Sequence, residues 1–270
     1  MPLSSISQTP CATWDCNYIP TPRGRLFRAY ALHPGSTPRD ALIVCNPLGE
    51  EAKSSFSVLQ RFSRELWKRG CCVARFDYLG TGDSEGDFKN TRPQDWINDS
   101  WSVIEDFHSM TPLRSLVLMG LRLGANIAAH TACALPDNLR PAALVLWEPI
   151  LDTARYIRHL TWISRNPRHG GEVDCFGWPM TQSCLEEIET ALPMERSHIE
   201  GVSFVANVST RARLSRDFEK LRPLPRPKSR VAHVRSRSFW ELVGESSCDP
   251  LIAETLGWLA HLELGCEEPG

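Results

Sequence analysis

The sequence predicts an α/β fold with a mostly parallel central sheet and helices on both of its faces, and three observations carry that expectation. Short apolar runs alternate with amphipathic helical stretches along most of the chain, which is the pattern of βαβ units. The runs are continuous rather than alternating with polar residues, so they belong to strands covered on both sides. The segment Gly120-Leu121-Arg122-Leu123-Gly124 joins the run Leu116–Met119 to helical-looking Ala125–Ala129. Two glycines four apart between a strand and a helix mark a very sharp turn.

The elements can be justified in order. A Pro-Arg-Gly turn at 22–24 opens a strand over Leu26–Leu32, and Ala41–Cys45 is a second, fully apolar one. From Phe56, the residues Leu59, Phe62, Leu66 and Trp67 recur at helical spacing until Gly70 ends the helix, with Ser54 and Ser55 read as its caps. Cys72–Phe76 is the next strand, and Trp96, Ile97, Trp101, Ile104 and Phe107 mark a second helix. Ser115–Met119 is a strand, followed by the turn and a third helix, and Ala143–Trp147 is a further strand. The alternation falters between Pro149 and about Ile199, which reads as a lid or cap over the strand ends, with one helix near Leu185–Ala191. It resumes with a strand at Gly201–Val208, a basic helix from about Arg211, a Pro-rich turn, the strand Arg230–Val234 and a last helix over Leu251–Leu262.

Composition narrows the class of protein. A chain of 270 residues, 42% apolar, suits one domain over 1–270 with a cap insertion at about 150–200. A net charge of −2 gives no overall nucleic-acid signature. The local exception is Arg211–Arg237, where only Asp217 and Glu219 oppose a run of Arg and Lys; it is either a solvated face or a face for an anionic partner. No apolar stretch reaches the roughly 18 residues of a membrane span, and the first residues lack the pattern of a secretory signal. The sequence holds ten cysteines but no C-x-x-C pair, and several stand in apolar runs where a thiol acts as a small hydrophobe. A reduced, cytoplasmic protein without a metal or cofactor is expected.

A second motif, Asp77-Tyr78-Leu79-Gly80-Thr81-Gly82-Asp83-Ser84-Glu85-Gly86, follows the strand Cys72–Phe76. With the 120–124 segment after the next strand, it makes the chain resemble the α/β-hydrolase fold from roughly Arg25 to the C-terminal helix. Asn46–Ser55, the Asp77 loop, Gly120–Ala125 and Phe239-Trp240 are more narrowly similar to a bacterial subgroup of the serine aminopeptidase-like branch, the exosortase A system-associated hydrolase 2 proteins. That resemblance implies an acyl or ester hydrolase whose nucleophile stands at the middle of the elbow.

Here that position is Arg122, a permanent cation that cannot attack a carbonyl. The resemblance places the acid after the strand ending near Val208, but the chain reads Ser209-Thr210-Arg211, and Asp217 comes late. It places the histidine in the loop Arg235–Trp240, which has none; His233 falls inside the strand. Cys45 is a weak substitute nucleophile, read rather as a buried thiol, and His130 packs under the elbow helix. Two readings of Arg122 stay open: an ion pair with Glu50 or Glu51 that fills the site, or a fixed cation for a bound carboxylate or phosphate. The expected cleft comprises Asn46, Glu50, Glu51, Asp77, Arg122 and Leu123. A degenerate hydrolase that binds a small anionic or acyl ligand, or a protein partner, is the reading the chemistry favours; an active hydrolase with a non-standard site is the alternative.

Overall fold

The apolar runs become the interior strands of one eight-stranded sheet in a computed structural model, which describes residues 12–34, 37–163, 172–175, 178–241 and 248–264. The strands are β1 (Trp14–Thr21), β2 (Gly24–Ala31), β3 (Arg39–Cys45), β4 (Cys72–Phe76), β5 (Leu113–Leu121), β6 (Ala143–Trp147), β9 (Ser203–Ser209) and β10 (Arg230–Arg235). A separate antiparallel pair, β7 (Glu172–Cys175) and β8 (Trp178–Thr181), lies between β6 and β9 in the chain. Across the sheet the order is β1-β2-β4-β3-β5-β6-β9-β10. The first two pairings, β1 with β2 and β2 with β4, are antiparallel. Every pairing from β4 to β10 is parallel.

Helices cover both faces. Trp96, Val103 and Phe107 of α2 (Pro93–Met110) and Ile127 of α3 (Leu123–Ala134) pack on one side with Ile43, Leu118 and Leu146. Val58, Phe62 and Leu66 of α1 (Glu50–Lys68) pack on the other with Leu251, Ile252 and Leu259 of α7 (Asp249–His261), against Leu42, Val44 and Val145. Each large apolar side chain so buried contributes about 1.5–3 kcal/mol. The parallel strands read as continuous apolar runs because both of their faces are covered.

The segment between β6 and β9 holds α4 (Thr153–Ile163), the β7–β8 pair and α5 (Gln182–Ala191). Besides α4 and the β7–β8 pair, which the sequence reading did not place, three differences from it stand out. Helix α1 starts at Glu50, so Ser54 and Ser55 are buried one turn inside it; the Ser55 hydroxyl donates to the Glu51 carbonyl at 2.7 Å. The basic helix shrinks to α6 (Arg216–Lys220), because the Ser215 N–H is held by Asn207 Oδ1 at 3.1 Å and residues before it form a loop. The antiparallel edge strand β1 was not read from the sequence; it is mostly exposed, buries only Ile19 and holds no continuous apolar run.

Candidate functional site

The elbow at Arg122 is set by close packing of main chain. A Cβ on Gly120 would lie 2.2 Å from the Gly124 carbonyl oxygen, and one on Gly124 would lie 2.4 Å from the carbonyl oxygen of Cys45. Only glycines let β5, α3 and the end of β3 approach so closely. Between them Arg122 is forced to φ 55° and ψ −127°, a sparsely populated conformation that costs about 1–3 kcal/mol for a residue with a Cβ. Its N–H donates to the Trp147 carbonyl at 2.9 Å, which fixes the turn against β6. The side chain is thereby presented at the N-terminus of α3, above the carboxyl ends of the strands.

Glu51, in the first turn of α1, meets it there. Arg122 Nε donates to Glu51 Oε1 at 3.0 Å, and each side chain is only 16% exposed. The Tyr156 hydroxyl of α4 donates to Glu51 Oε2 at 3.2 Å, so both carboxylate oxygens are engaged. The guanidinium also lies 5.4 Å from the Tyr156 ring and 5.3 Å from the Trp240 ring, within cation–π range of both. Burial by itself would weaken the Arg122 cation, but Glu51 and, less strongly, Glu148 outweigh it and hold the guanidinium above its ordinary value. Burial, reinforced by the Glu51 charge, keeps the Tyr156 phenol well above the usual range, so it stays a neutral donor.

A cavity of about 320 Å³ opens beside this pair. Its floor includes Leu48, Glu51, Arg122 and Leu123, and its roof comes from Leu160 on α4, Trp178 and Met180 on β8 and Ile188 on α5. The wall is largely apolar. Its charged groups are Arg122, Glu50, Glu51 and Glu241, with His159 at the side. Glu50 is held by Lys53 at 3.1 Å. The N–H groups of Leu48 and Leu123, both lining residues, donate to no protein acceptor among the described residues. Arg122 Nη1 and Nη2 are equally without a hydrogen bond there.

The other expected residues are placed elsewhere. Asn46 does not line the cavity; its Nδ2 donates to the Phe76 carbonyl at 2.8 Å and ties β3 to β4. Asp77 stays within its own loop, where Oδ2 accepts the Asp83 N–H at 3.0 Å and burial raises its carboxyl. Asp217 pairs with Lys220 at 2.8 Å on α6. His233 lies within β10, where its Nε2 meets Ser209 Oγ at 3.1 Å, and neither residue lines the cavity. Cys45 is fully buried and its thiol is pushed up to about 12 by that burial, so it supplies no thiolate at neutral pH. His130 is on α3, with Nε2 2.8 Å from the Pro193 carbonyl.

Two contributors were missed in the sequence. Glu148 directly follows β6 with φ 45° and accepts hydrogen bonds from the Val208 N–H at 2.6 Å and Asn207 Nδ2 at 3.0 Å. Burial raises its carboxyl, against the lowering effect of those bonds and of Arg122. An acidic residue immediately after a buried strand next to the elbow strand was a readable signal. Tyr156 carried no such signal, because nothing local tells which face of a cap helix turns inward. Trp240 stands against Arg122 in the loop after β10, where the resemblance would put a histidine.

Comparison with known proteins agrees with this architecture. The model of the family described as serine aminopeptidase, S33, matches residues 36–185. No curated protein matches the chain. Among solved structures, Est1E from Butyrivibrio proteoclasticus with ferulic acid bound is similar at TM-score 0.65 and 14% identity, over 90% of this chain and 99% of that one. A Pyrococcus furiosus esterase is similar at TM-score 0.61 and 13% identity, over 93% and 91%. A Xanthomonas campestris α/β serine hydrolase without lid gives TM-score 0.58 and 18% identity, over 92% and 94%. At these identities the structures speak for the fold alone. With more than half of its length matched by the family model, the chain belongs to the serine aminopeptidase S33 family and has the α/β-hydrolase fold.

Proposed function

We propose that this chain is a degenerate hydrolase that binds a neutral acyl compound in the Arg122 cavity and does not cleave it. The observation that carries the reading is the Arg122–Glu51 ion pair, 3.0 Å long, standing at the nucleophile position of the elbow. An acyl ligand fits the mainly apolar wall, while its carbonyl oxygen can accept from the unpartnered Leu48 and Leu123 N–H groups. A free anion fits poorly. Among the described residues, the lining arginine is neutralised by Glu51 and Glu50 is paired with Lys53, while Glu241 has no cation beside it. A bound carboxylate would have to compete with Glu51 and face Glu148 as well.

The narrower kinship with exosortase-associated hydrolases and a cytoplasmic setting belong to the same proposal; they rest on the motifs and on the cysteine-rich strands. No described helix is long and apolar enough to cross a membrane. Helix α4, the β7–β8 pair and α5 act in this reading as the lid of the cavity. Family membership supports the second reading, an active hydrolase, esterase or peptidase-like, with a non-standard site.

A panel of p-nitrophenyl acyl esters tests both. The wild-type protein and Arg122→Ser are expected to show no turnover above a heat-denatured control, because serine alone does not gain a histidine held by an acid in line with it. Quenching of Trp178 and Trp240 fluorescence by a neutral medium-chain ester should still report binding. Turnover that Arg122→Ala abolishes would replace this reading with the second one.

A further inference from the structure

The basic stretch singled out in the sequence is two different surfaces. In its lower part the charges are used internally. Arg222 Nη2 donates to the Val231 carbonyl at 2.5 Å and Arg226 Nε to the Glu200 carbonyl at 3.0 Å. Arg230 pairs with Glu254 at 2.5 Å and Lys220 with Asp217 at 2.8 Å. At the other end, Arg211, Arg213, Arg235 and Arg237 are exposed, and their side chains make no hydrogen bond or ion pair among the described residues. Their main-chain segments leave the sheet side by side. Arg235 ends β10 directly opposite Ser209, which ends β9, and the Ser236 N–H donates to the Ser209 carbonyl at 3.2 Å. The chain leaving β9 therefore carries Arg211 and Arg213 beside the chain leaving β10 that carries Arg235 and Arg237.

This is the carboxyl edge of the sheet, on which the cavity also opens. Arg237 lies three residues before Trp240, which lines the cavity and packs on Arg122. The molecule thus sets a largely apolar cavity next to arginines that are unpaired among the described residues, with Glu241 as the lining carboxylate nearest in sequence to them. Guanidiniums are the side chains best suited to phosphate oxygens. No large apolar side chain is exposed in residues 209–213 or 235–237 to enter a lipid layer.

Resting on the neutral-acyl reading of the cavity, we infer that the ligand is an acyl thioester of a phosphate-bearing nucleotide carrier of the coenzyme A type. Its acyl chain occupies the cavity and its phosphates lie on Arg211, Arg213, Arg235 and Arg237. The pantetheine arm separates the two ends, so one ligand reconciles an anionic head with an interior that disfavours anions. Attraction to an exposed cluster of this kind is screened by salt.

Calorimetric titration of the full chain tests this with octanoyl-coenzyme A, the neutral octanoyl thioester of N-acetylcysteamine, and free coenzyme A. Octanoyl-coenzyme A is expected to bind at least about tenfold more tightly than the neutral thioester at about 50 mM salt, and to lose that advantage at about 500 mM. The triple variant Arg211→Ala, Arg235→Ala, Arg237→Ala should remove the advantage and leave the neutral thioester unchanged. All three positions are exposed, and circular dichroism checks that the variant folds. Equal affinity of the two thioesters at low salt, or an advantage that survives the triple variant, overturns the inference. Failure of the neutral thioester to bind overturns the cavity reading instead. Salt- and patch-dependent binding of free coenzyme A would then still uphold the assignment of the arginines to the carrier phosphates.

Discussion

Arg122 combines two opposed contributions, a strained backbone and a well-held side chain. Truncating it to alanine removes the ion pair and keeps the strain, because alanine at φ 55° still carries a Cβ. Glycine removes both. Arg122→Gly is therefore expected to be more stable than Arg122→Ala by about 1 kcal/mol, measured as a higher midpoint in urea unfolding. Equal midpoints would show that the conformation at 122 is not strained. The expectation that one of Glu50 and Glu51 reaches Arg122 was legible, since the loop after β3 faces the elbow in this fold; it is Glu51 that does so. Which of the two was not legible, because one residue along a helix turns a side chain by roughly 100°.

At the level of elements, the turn depends on main-chain approach more than on side chains. Gly124→Ala would drive a methyl group into the carbonyls of Cys45 and Asn46. It should cost about 3 kcal/mol or more, seen as a large drop in thermal midpoint, whereas Gly201→Ala, whose Cβ would meet nothing within 4 Å, should change little. The β-strands from β3 to β6 and the elbow were readable because continuous apolar runs and paired glycines are local signals. The edge strand β1 and the short α6 were not. The first holds no continuous apolar run and buries only Ile19, and the second is cut short by the tertiary bond from the Ser215 N–H to Asn207 Oδ1. The Asp77 motif helped identify the fold, yet its carboxylate serves the loop and not the cavity.

For the whole molecule, the described contacts point to a loss of stability in mild acid. His130 on α3 packs against His198 with ring centres 4.0 Å apart and the rings tilted by 33°, and His198 Nδ1 accepts the Glu195 N–H at 3.1 Å. Burial lowers the His130 pKa below 6.5 and His198 adds to that, against the hydrogen bond to Pro193 and the charge of Glu195. The folded state thus takes up its proton later than the unfolded chain as pH falls. Its contribution is complete above about pH 6.5 and is lost as pH drops through the lower folded value. His130→Gln keeps a donor for the Pro193 carbonyl but does not titrate. The midpoint of the wild type relative to this variant should fall between about pH 8 and pH 5; a constant difference would contradict the assignment.

The elbow has a further consequence. Its shape is fixed by Gly120, Gly124 and the bond from the Arg122 N–H to Trp147, none of which involves the side chain at 122. The main chain is a mounting that presents whatever is attached to it. A change of chemistry at this point requires no redesign of the backbone, because the same mount would hold another side chain in the same place.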